Sequence, residues 1–349
     1  MKRLCIAVPL LILAGSPAHA DLRALVAEET LRQIAAETSG EAAKKNLDTI
    51  TLQHRMRTGG QFAAATAHIE SQLEGYGLDK VEILQYPADG KTMFGTQKSR
   101  PVWAVRFAEL WELERADGGM RRVRRLGDWE SVPLTLAQDS LSADVIASLV
   151  DIGAGTSAAD YEGKDVAGKL VLTSSQPGAV VELAVGERRA AGIISYAPNQ
   201  RSAWWKEDDR LVRWGHMSSF PRTKSFGFMI SLGEARKLQQ RLAAGEEILF
   251  HAKVEAGHEK GDYEFVTAEI EGTDRKDEII HYTCHLDHPR PGANDNASGC
   301  VAILETARTL NALIDAEILT RPRRTLKFLW PAEIEGSIMY LAGLDDPSR

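Results

Sequence analysis

The sequence predicts an α/β protein in which a mixed, largely parallel sheet flanked by helices is interrupted by a second, β-rich unit. Two observations lead there. The first is a strand, a helix and a strand in succession. Residues 278–284, Glu-Ile-Ile-His-Tyr-Thr-Cys, are rich in β-branched and aromatic side chains and read as a strand. Val301, Leu304, Ala307, Leu310 and Ile314 then recur at helical spacing over 298–314, and 326–330 is a further apolar run. A right-handed crossover makes the two strands of such a βαβ unit parallel. The second observation is a change of texture over 131–257, where brief apolar runs are punctuated by glycine.

Taken from the amino terminus, residues 1–20 carry Lys2 and Arg3, an apolar run over 4–14, and the small-x-small ending Ser16-Pro17-Ala18-His19-Ala20. That is the pattern of a secretory signal, so the mature chain is expected to begin near Asp21, in a periplasm or the medium. The apolar run is shorter than the about 20 residues a membrane span needs. Cys5 lies inside it and away from the cleavage point, so no membrane anchor is expected. Helical spacing returns over 62–73 and ends at Tyr76-Gly77, and 81–84 alternates as a strand does. Residues 21–130 are therefore assigned to the first part of the sheet-bearing domain. His54, and His68 among alanines, read as surface or partly packed side chains and not as ligands. Arg121-Arg122-Val123-Arg124-Arg125 reads as a solvated face or hairpin tip.

Within 131–257, residues 145–150, 169–173, 192–196 and 228–231 read as short strands, 232–242 as a helix and 248–254 as a closing strand. Gly153-x-Gly155 lacks the third glycine and the later acidic residue of a dinucleotide-binding loop, and a turn is its better account. Trp204, Trp205 and Trp214, with His216 and Met217, are either a lip over a site or the packing of this unit against its neighbour. Residues 258–349 carry the βαβ unit and a final helix-like stretch over 336–344.

A chain of 349 residues has room for two domains at about 100–200 residues each. Its 44% hydrophobic and 26% charged content is that of a globular protein, and a net charge of −7 argues against a nucleic-acid partner. Past the signal only Cys284 and Cys300 remain. Export permits a bridge, but two cysteines do not make a disulfide framework, so both are expected to be small core residues. A catalytic thiol at Cys284 is disfavoured, because strand neighbours such as His285 face opposite sides of a sheet.

The chemistry concentrates where the two parallel strands end. His285-Leu286-Asp287 follows the first strand. Gly292-Ala293-Asn294-Asp295-Asn296-Ala297-Ser298-Gly299 opens the helix, with Asn296 or Ser298 as its expected N-cap. Pro331-Ala332-Glu333-Ile334-Glu335-Gly336-Ser337 follows the second strand. Both motifs should emerge on the same carboxyl edge, where open α/β sheets place their sites. Imidazole nitrogen and carboxylate oxygen are donors that Zn²⁺ accepts.

These motifs resemble the M28 family of zinc peptidases, which includes aminopeptidases, some carboxypeptidases and glutaminyl cyclases. The resemblance implies a zinc-exopeptidase-like fold with Zn²⁺, one ion or two, as cofactor. It implies that His285 ligates one zinc, that Asp287 orients that imidazole, that Asp295 bridges two zincs, and that Glu333 is the general base. Segments 151–156, 168–172 and 190–196 resemble the protease-associated (PA) domain, a β-rich insert of secreted peptidases. The chain departs from the family pattern in three ways. Ile334 stands where a second glutamate would ligate the second zinc, the interval from His285 to Asp295 is short, and further Asp and His ligands would lie beyond Arg349. The sheet is accordingly expected to be cut in mid-course, and the chain as written to be inactive. Three alternatives stay open: one zinc or two, His288 in place of His285, and Glu335 in place of the missing glutamate. The function implied is a secreted zinc-dependent exopeptidase, an aminopeptidase acting on peptide or protein substrates. The alternative is a non-catalytic homologue that keeps the fold for binding.

Overall fold

The computed structural model describes residues 26–198 and 208–344, so the signal segment, Trp204 and Trp205 lie outside the described residues. Three helices lead, α1 (Glu28–Glu37), α2 (Gly40–Thr51) and α3 (Gly60–Gly75). α2 starts where the Ser39 hydroxyl accepts the Ala42 N–H at 3.1 Å, relieving one of the first-turn donors. α3 buries Phe62, Ala65, Ile69 and Leu73, an i, i+3, i+4 stripe. Strand β1 (Asp79–Ala88) and the small hairpin β2 (Met93–Phe94) and β3 (Gln97–Lys98) come next. The long hairpin β4 (Val102–Ala116) and β5 (Gly119–Asp128) precedes β6 (Ala143–Asp151), β7 (Leu170–Thr173), α4 (Pro177–Val181), β8 (Gly192–Ser195), β9 (Gly227–Met229) and α5 (Leu232–Ala243). β10 (Leu249–Glu259), β11 (Gly261–Ile270), β12 (Arg275–Thr283), α6 (Ser298–Asp315), β13 (Arg324–Trp330) and α7 (Glu335–Leu344) complete the described chain.

The strands form a mixed α/β arrangement with two main sheets. One has the order β1-β11-β13-β12, and β12 and β13 pair in parallel around α6, as the βαβ reading requires. β1 and β11 run antiparallel in it. α3 and α6 supply Ile69, Leu73, Val301, Leu304 and Ala307 to a core that also takes Phe265, Phe328 and Trp330 from the sheet. Full burial of Phe265 and of Phe328 stabilises the fold by roughly 1.5–3 kcal/mol each.

The second sheet has the order β5-β4-β10-β6-β7-β8-β9, antiparallel from β5 to β6 and parallel from β6 to β9. It has its own apolar clusters, including Leu110, Leu170, Ile194, Phe228 and Phe250. This sheet opens at Val102, upstream of residue 131, because β4 pairs along the length of β10 from Val102↔Glu259 to Leu113↔Leu249. β4 and β5 are long and rich in charged residues, unlike the brief apolar strands that follow, so texture alone does not mark them. The arginine run lies on β5, where Arg121, Arg124 and Arg125 pair with Glu114, Glu112 and Glu109. Gly153 and Gly155 both have positive φ, and Asp151 Oδ1 accepts the Gly153 N–H at 2.8 Å, a turn as the spacing indicated. Lys260 alone separates β10 from β11, so one continuous stretch of chain joins the two sheets. No helix among the described residues is long and apolar enough to cross a membrane.

Candidate metal centre

β12 and β13 end side by side, and beyond them the Leu286 N–H donates to Pro331 O at 2.8 Å. The two motif loops are thus held together by backbone. His285 Nε2 lies 3.1 Å from Asp295 Oδ1, and His288 Nε2 lies 3.4 Å from Asp295 Oδ2. One carboxylate therefore sits between two imidazoles. Asp287 Oδ1 is 3.5 Å from His285 Nδ1 and accepts the Glu333 N–H at 2.6 Å. The Asp287 backbone carbonyl lies 3.1 Å from the same Nδ1, so carbonyl and carboxylate together orient the first imidazole, while the carboxylate anchors the backbone of the second motif. The hydrogen bond and charge of Asp287 push the His285 imidazole up to about 9, against partial burial.

The loop between these residues is shaped from below. Arg55 is fully buried, and its guanidinium donates to the carbonyls of Leu286 at 2.8 Å, Pro291 at 3.3 Å and Gly292 at 3.1 Å, as well as to Ile50 at 2.9 Å and Gln53 at 3.2 Å. Its own carbonyl accepts the His288 N–H at 2.7 Å. Burial pulls the guanidinium down to about 10, opposed by the charge of Asp287, and it remains a cation at neutral pH. Sequence reasoning missed Arg55, since nothing in its neighbourhood signals a contact with residues 286–292. Gly292 is required at φ 51°, because a Cβ there would lie 2.7 Å from His288 Nδ1.

A wide turn over 293–297, containing a cis Asp295–Asn296 peptide, leads into α6. The N-cap is Ala297 with no side-chain cap, so neither Asn296 nor Ser298 plays the expected part. The Ser298 hydroxyl instead donates to Asn294 O at 3.0 Å. Cys284 and Cys300 are joined by a disulfide, which corrects their reading as separate core residues. The end of β12 and the first turn of α6 bring their Cα atoms to 5.3 Å, inside the about 4.4–6.8 Å that a bridge spans.

After β13 the chain makes a three-residue turn closed by the Glu335 N–H on Glu333 O at 2.5 Å. Glu333 is left exposed, Ile334 is 66% exposed at φ 55°, and Glu335 is buried. Glu335 accepts from Tyr263 OH at 2.7 Å, and its other oxygen lies 2.7 Å from Arg100 Nε and 3.8 Å from Arg57 Nε. Its carboxylate is committed to these three partners, so it does not take the place of the missing glutamate. His68 is partly buried, as expected, whereas His54 is buried. His54 Nδ1 accepts the Arg290 N–H at 3.1 Å, and His68 Nε2 lies 3.0 Å from Asn46 Oδ1.

The donor types of His285, His288 and Asp295 suit zinc in kind. In number they give each ion one imidazole and one oxygen of a shared carboxylate. Among the described residues no three His, Cys, Asp or Glu side chains converge as a metal-binding group. A cleft of about 290 Å³ takes in Asp287, His288, Asp295 and Glu333 together with Arg57, Arg100, Gln138 and Trp214. Trp214 is partly exposed at its wall and stacks on His216 at 4.9 Å, whereas Met217 is buried. Of the aromatic cluster, Trp214 therefore borders the cleft.

Residues 266–337 match the sequence model of peptidase family M28. No curated protein matches the chain significantly. Among solved structures, an aminopeptidase from Aneurinibacillus sp. strain AM-1 matches with a TM-score of 0.53 and 24% identity, over 90% of this chain and 68% of that one. A peptidase M28 precursor from Shewanella amazonensis SB2B matches with a TM-score of 0.61 and 16% identity, over 90% and 70%. BSAP, a zinc aminopeptidase from Bacillus subtilis, matches with a TM-score of 0.57 and 18% identity, over 87% of this chain and 66% of its own. The chain thus spans about two thirds of the length of these structures and shares their fold. Residues 266–337 therefore carry a family M28 match within a chain that shares the fold of these structures.

Proposed function

We propose that this protein is a secreted, zinc-dependent exopeptidase, and within that class an aminopeptidase. One observation carries the reading: Asp295 lies between the Nε2 atoms of His285 and His288, Asp287 contacts both His285 and the Glu333 backbone, and Asp287, His288, Asp295 and Glu333 line one cleft. His285, Asp295 and His288 are the residues that would hold metal. Zinc, when bound, supplies Lewis acidity that acidifies water and polarises a scissile carbonyl. Asp287, on Nδ1 of His285, leaves Nε2 free to face Asp295 and fixes the tautomer needed for ligation. Glu333 is exposed to the cleft with its backbone pinned, so its carboxylate can take the proton of the attacking water and return it to the leaving amine. The signal pattern of residues 1–20 supports export, and the names of the structural relatives support zinc and aminopeptidase activity.

The test is hydrolysis of aminoacyl chromogenic substrates by the full-length protein, with and without chelator, beside Glu333→Gln. Chelation should abolish activity, and Glu333→Gln should lower it by about 10²–10⁴-fold. Hydrolysis indifferent to both would sink the metal mechanism. Peptide binding without turnover in the native protein would point instead to the non-catalytic alternative.

A further inference from the structure

The cleft holds two arginines, Arg57 and Arg100, beyond its metal motif. Arg57 and Arg100 both turn their Nε edges to one oxygen of Glu335, whose other oxygen is taken by Tyr263. One buried carboxylate thus answers two guanidiniums. The Arg57 fork is occupied. With the Gln138 carboxamide turned so that its oxygen faces the guanidinium, which is the orientation that matches donors to an acceptor, that oxygen accepts from Nη1 at 2.8 Å and Nη2 at 3.2 Å. The Asp139 carboxylate behind Gln138 is taken by His258 Nε2 at 2.8 Å and Ser219 Oγ at 2.9 Å, so it does not neutralise the second arginine by contact. Arg100 is different. Its side chain is 34% exposed in the cleft, and among the described residues its terminal Nη groups donate no hydrogen bond.

We infer that the Nη edge of Arg100, backed by Arg57, is a subsite for a carboxylate of the peptide substrate. A guanidinium fork held at its Nε end by a buried carboxylate is pre-aimed, and its free edge matches a carboxylate in bidentate geometry. Trp214 and Ile334 border the same cleft and offer apolar surface to the rest of a short peptide. The inference rests on the peptidase reading and narrows it to peptides that present a carboxylate close to the scissile bond. That carboxylate is either the free terminus of a dipeptide or an acidic side chain at the amino-terminal position.

Two substrate pairs separate these sources in the full-length zinc-loaded protein: Leu-Ala against Leu-Ala amide, and Glu-p-nitroanilide against Gln-p-nitroanilide. The acid member of at least one pair should have a kcat/KM about 10–100-fold above its neutral partner, the range that a charge-assisted bidentate pair supports. A preference in the first pair assigns the terminus, and one in the second assigns the side chain. Arg100→Gln should bring the preference down to about 1. Arg100→Lys, which keeps a cation beside Glu335 but has no fork, should lower it several-fold and guards against a variant that fails to fold. Calorimetric titration of the Glu333→Gln protein with the same ligands reads binding without turnover. If no peptide is cleaved but the acids still bind more tightly, the function proposed above fails and the subsite stands. If acid and neutral partners are cleaved or bound equally, or if both Arg100 variants keep the wild-type ratio, the subsite is overturned.

Discussion

Glu335 shows how a single turn decides what a side chain can do. The turn at Ile334 sends it into the wall against Tyr263, Arg57 and Arg100. Burial and the adjacent Glu335 charge push the Tyr263 phenol well above its usual range, so it stays a donor to that carboxylate. A β-branched residue at positive φ is uncommon, and such strain of about 1–3 kcal/mol concentrates at functional sites. His54, beside the motif loop, makes a prediction of its own. Burial, helped by the charges of Arg290 and Arg55, lowers its imidazole to about 3. Between about 6.5 and about 3 the unfolded chain takes up a proton that the folded chain refuses, so this residue's contribution is intact above pH 6.5 and is lost as pH falls. The slope approaches about 1.4 kcal/mol per pH unit inside that window. Urea unfolding of wild type and His54→Asn from pH 7 to 4 checks it, since the variant should lose stability less steeply. Parallel curves would refute the assignment.

At the scale of elements, the disulfide and the wide turn make the chain from β12 to α6 a closed loop. The bridge spans a sequence separation of 16 and encloses His285, His288 and Asp295. A loop of this length contributes about 3 kcal/mol by restricting the unfolded chain. Cys284→Ala with Cys300→Ala should therefore lower unfolding stability by about that amount, measured in urea without reductant. An unchanged midpoint would mean that the bridge does not form in solution. The βαβ unit was legible in the sequence because its periodicities are local: Val301, Leu304 and Ala307 declare a buried helical face by spacing alone. α3, β6 to β10 and α5 were legible for the same reason. β4 and β5 were not recognised as part of the second sheet, because that membership depends on pairing with β10, more than a hundred residues later. The His285, Asp287, Asp295 and Glu333 cluster followed from knowing that parallel strands end on one edge. The disulfide and the roles of Arg55 and Glu335 did not, because each depends on contacts that spacing cannot encode.

Across the whole molecule, the motif loop is pressed between the two sheets. Arg290 leaves it to donate to the carbonyls of Glu130 at 2.8 Å and Ser131 at 2.9 Å, which belong to the loop after β5. Each sheet has its own core, so this contact should matter for loop order more than for global stability. Arg290→Ala is expected to cost about 1 kcal/mol or less, to leave the far-ultraviolet spectrum unchanged, and to speed amide exchange across 286–292. Unaltered exchange there would show that the second sheet does not brace the loop. The guanidinium of Arg55 brings a consequence for descent and for engineering. The segment from 266 to 337 holds every candidate donor except one of its own scaffolds, which arrives from the helical region more than two hundred residues upstream. It is therefore not a transplantable cassette. A chimera that takes the motif from this chain and the first hundred residues from a relative lacking an arginine at that place would inherit the motif but leave the carbonyls of Leu286, Pro291 and Gly292 without their donor. Viable crossovers should keep the two regions from one parent.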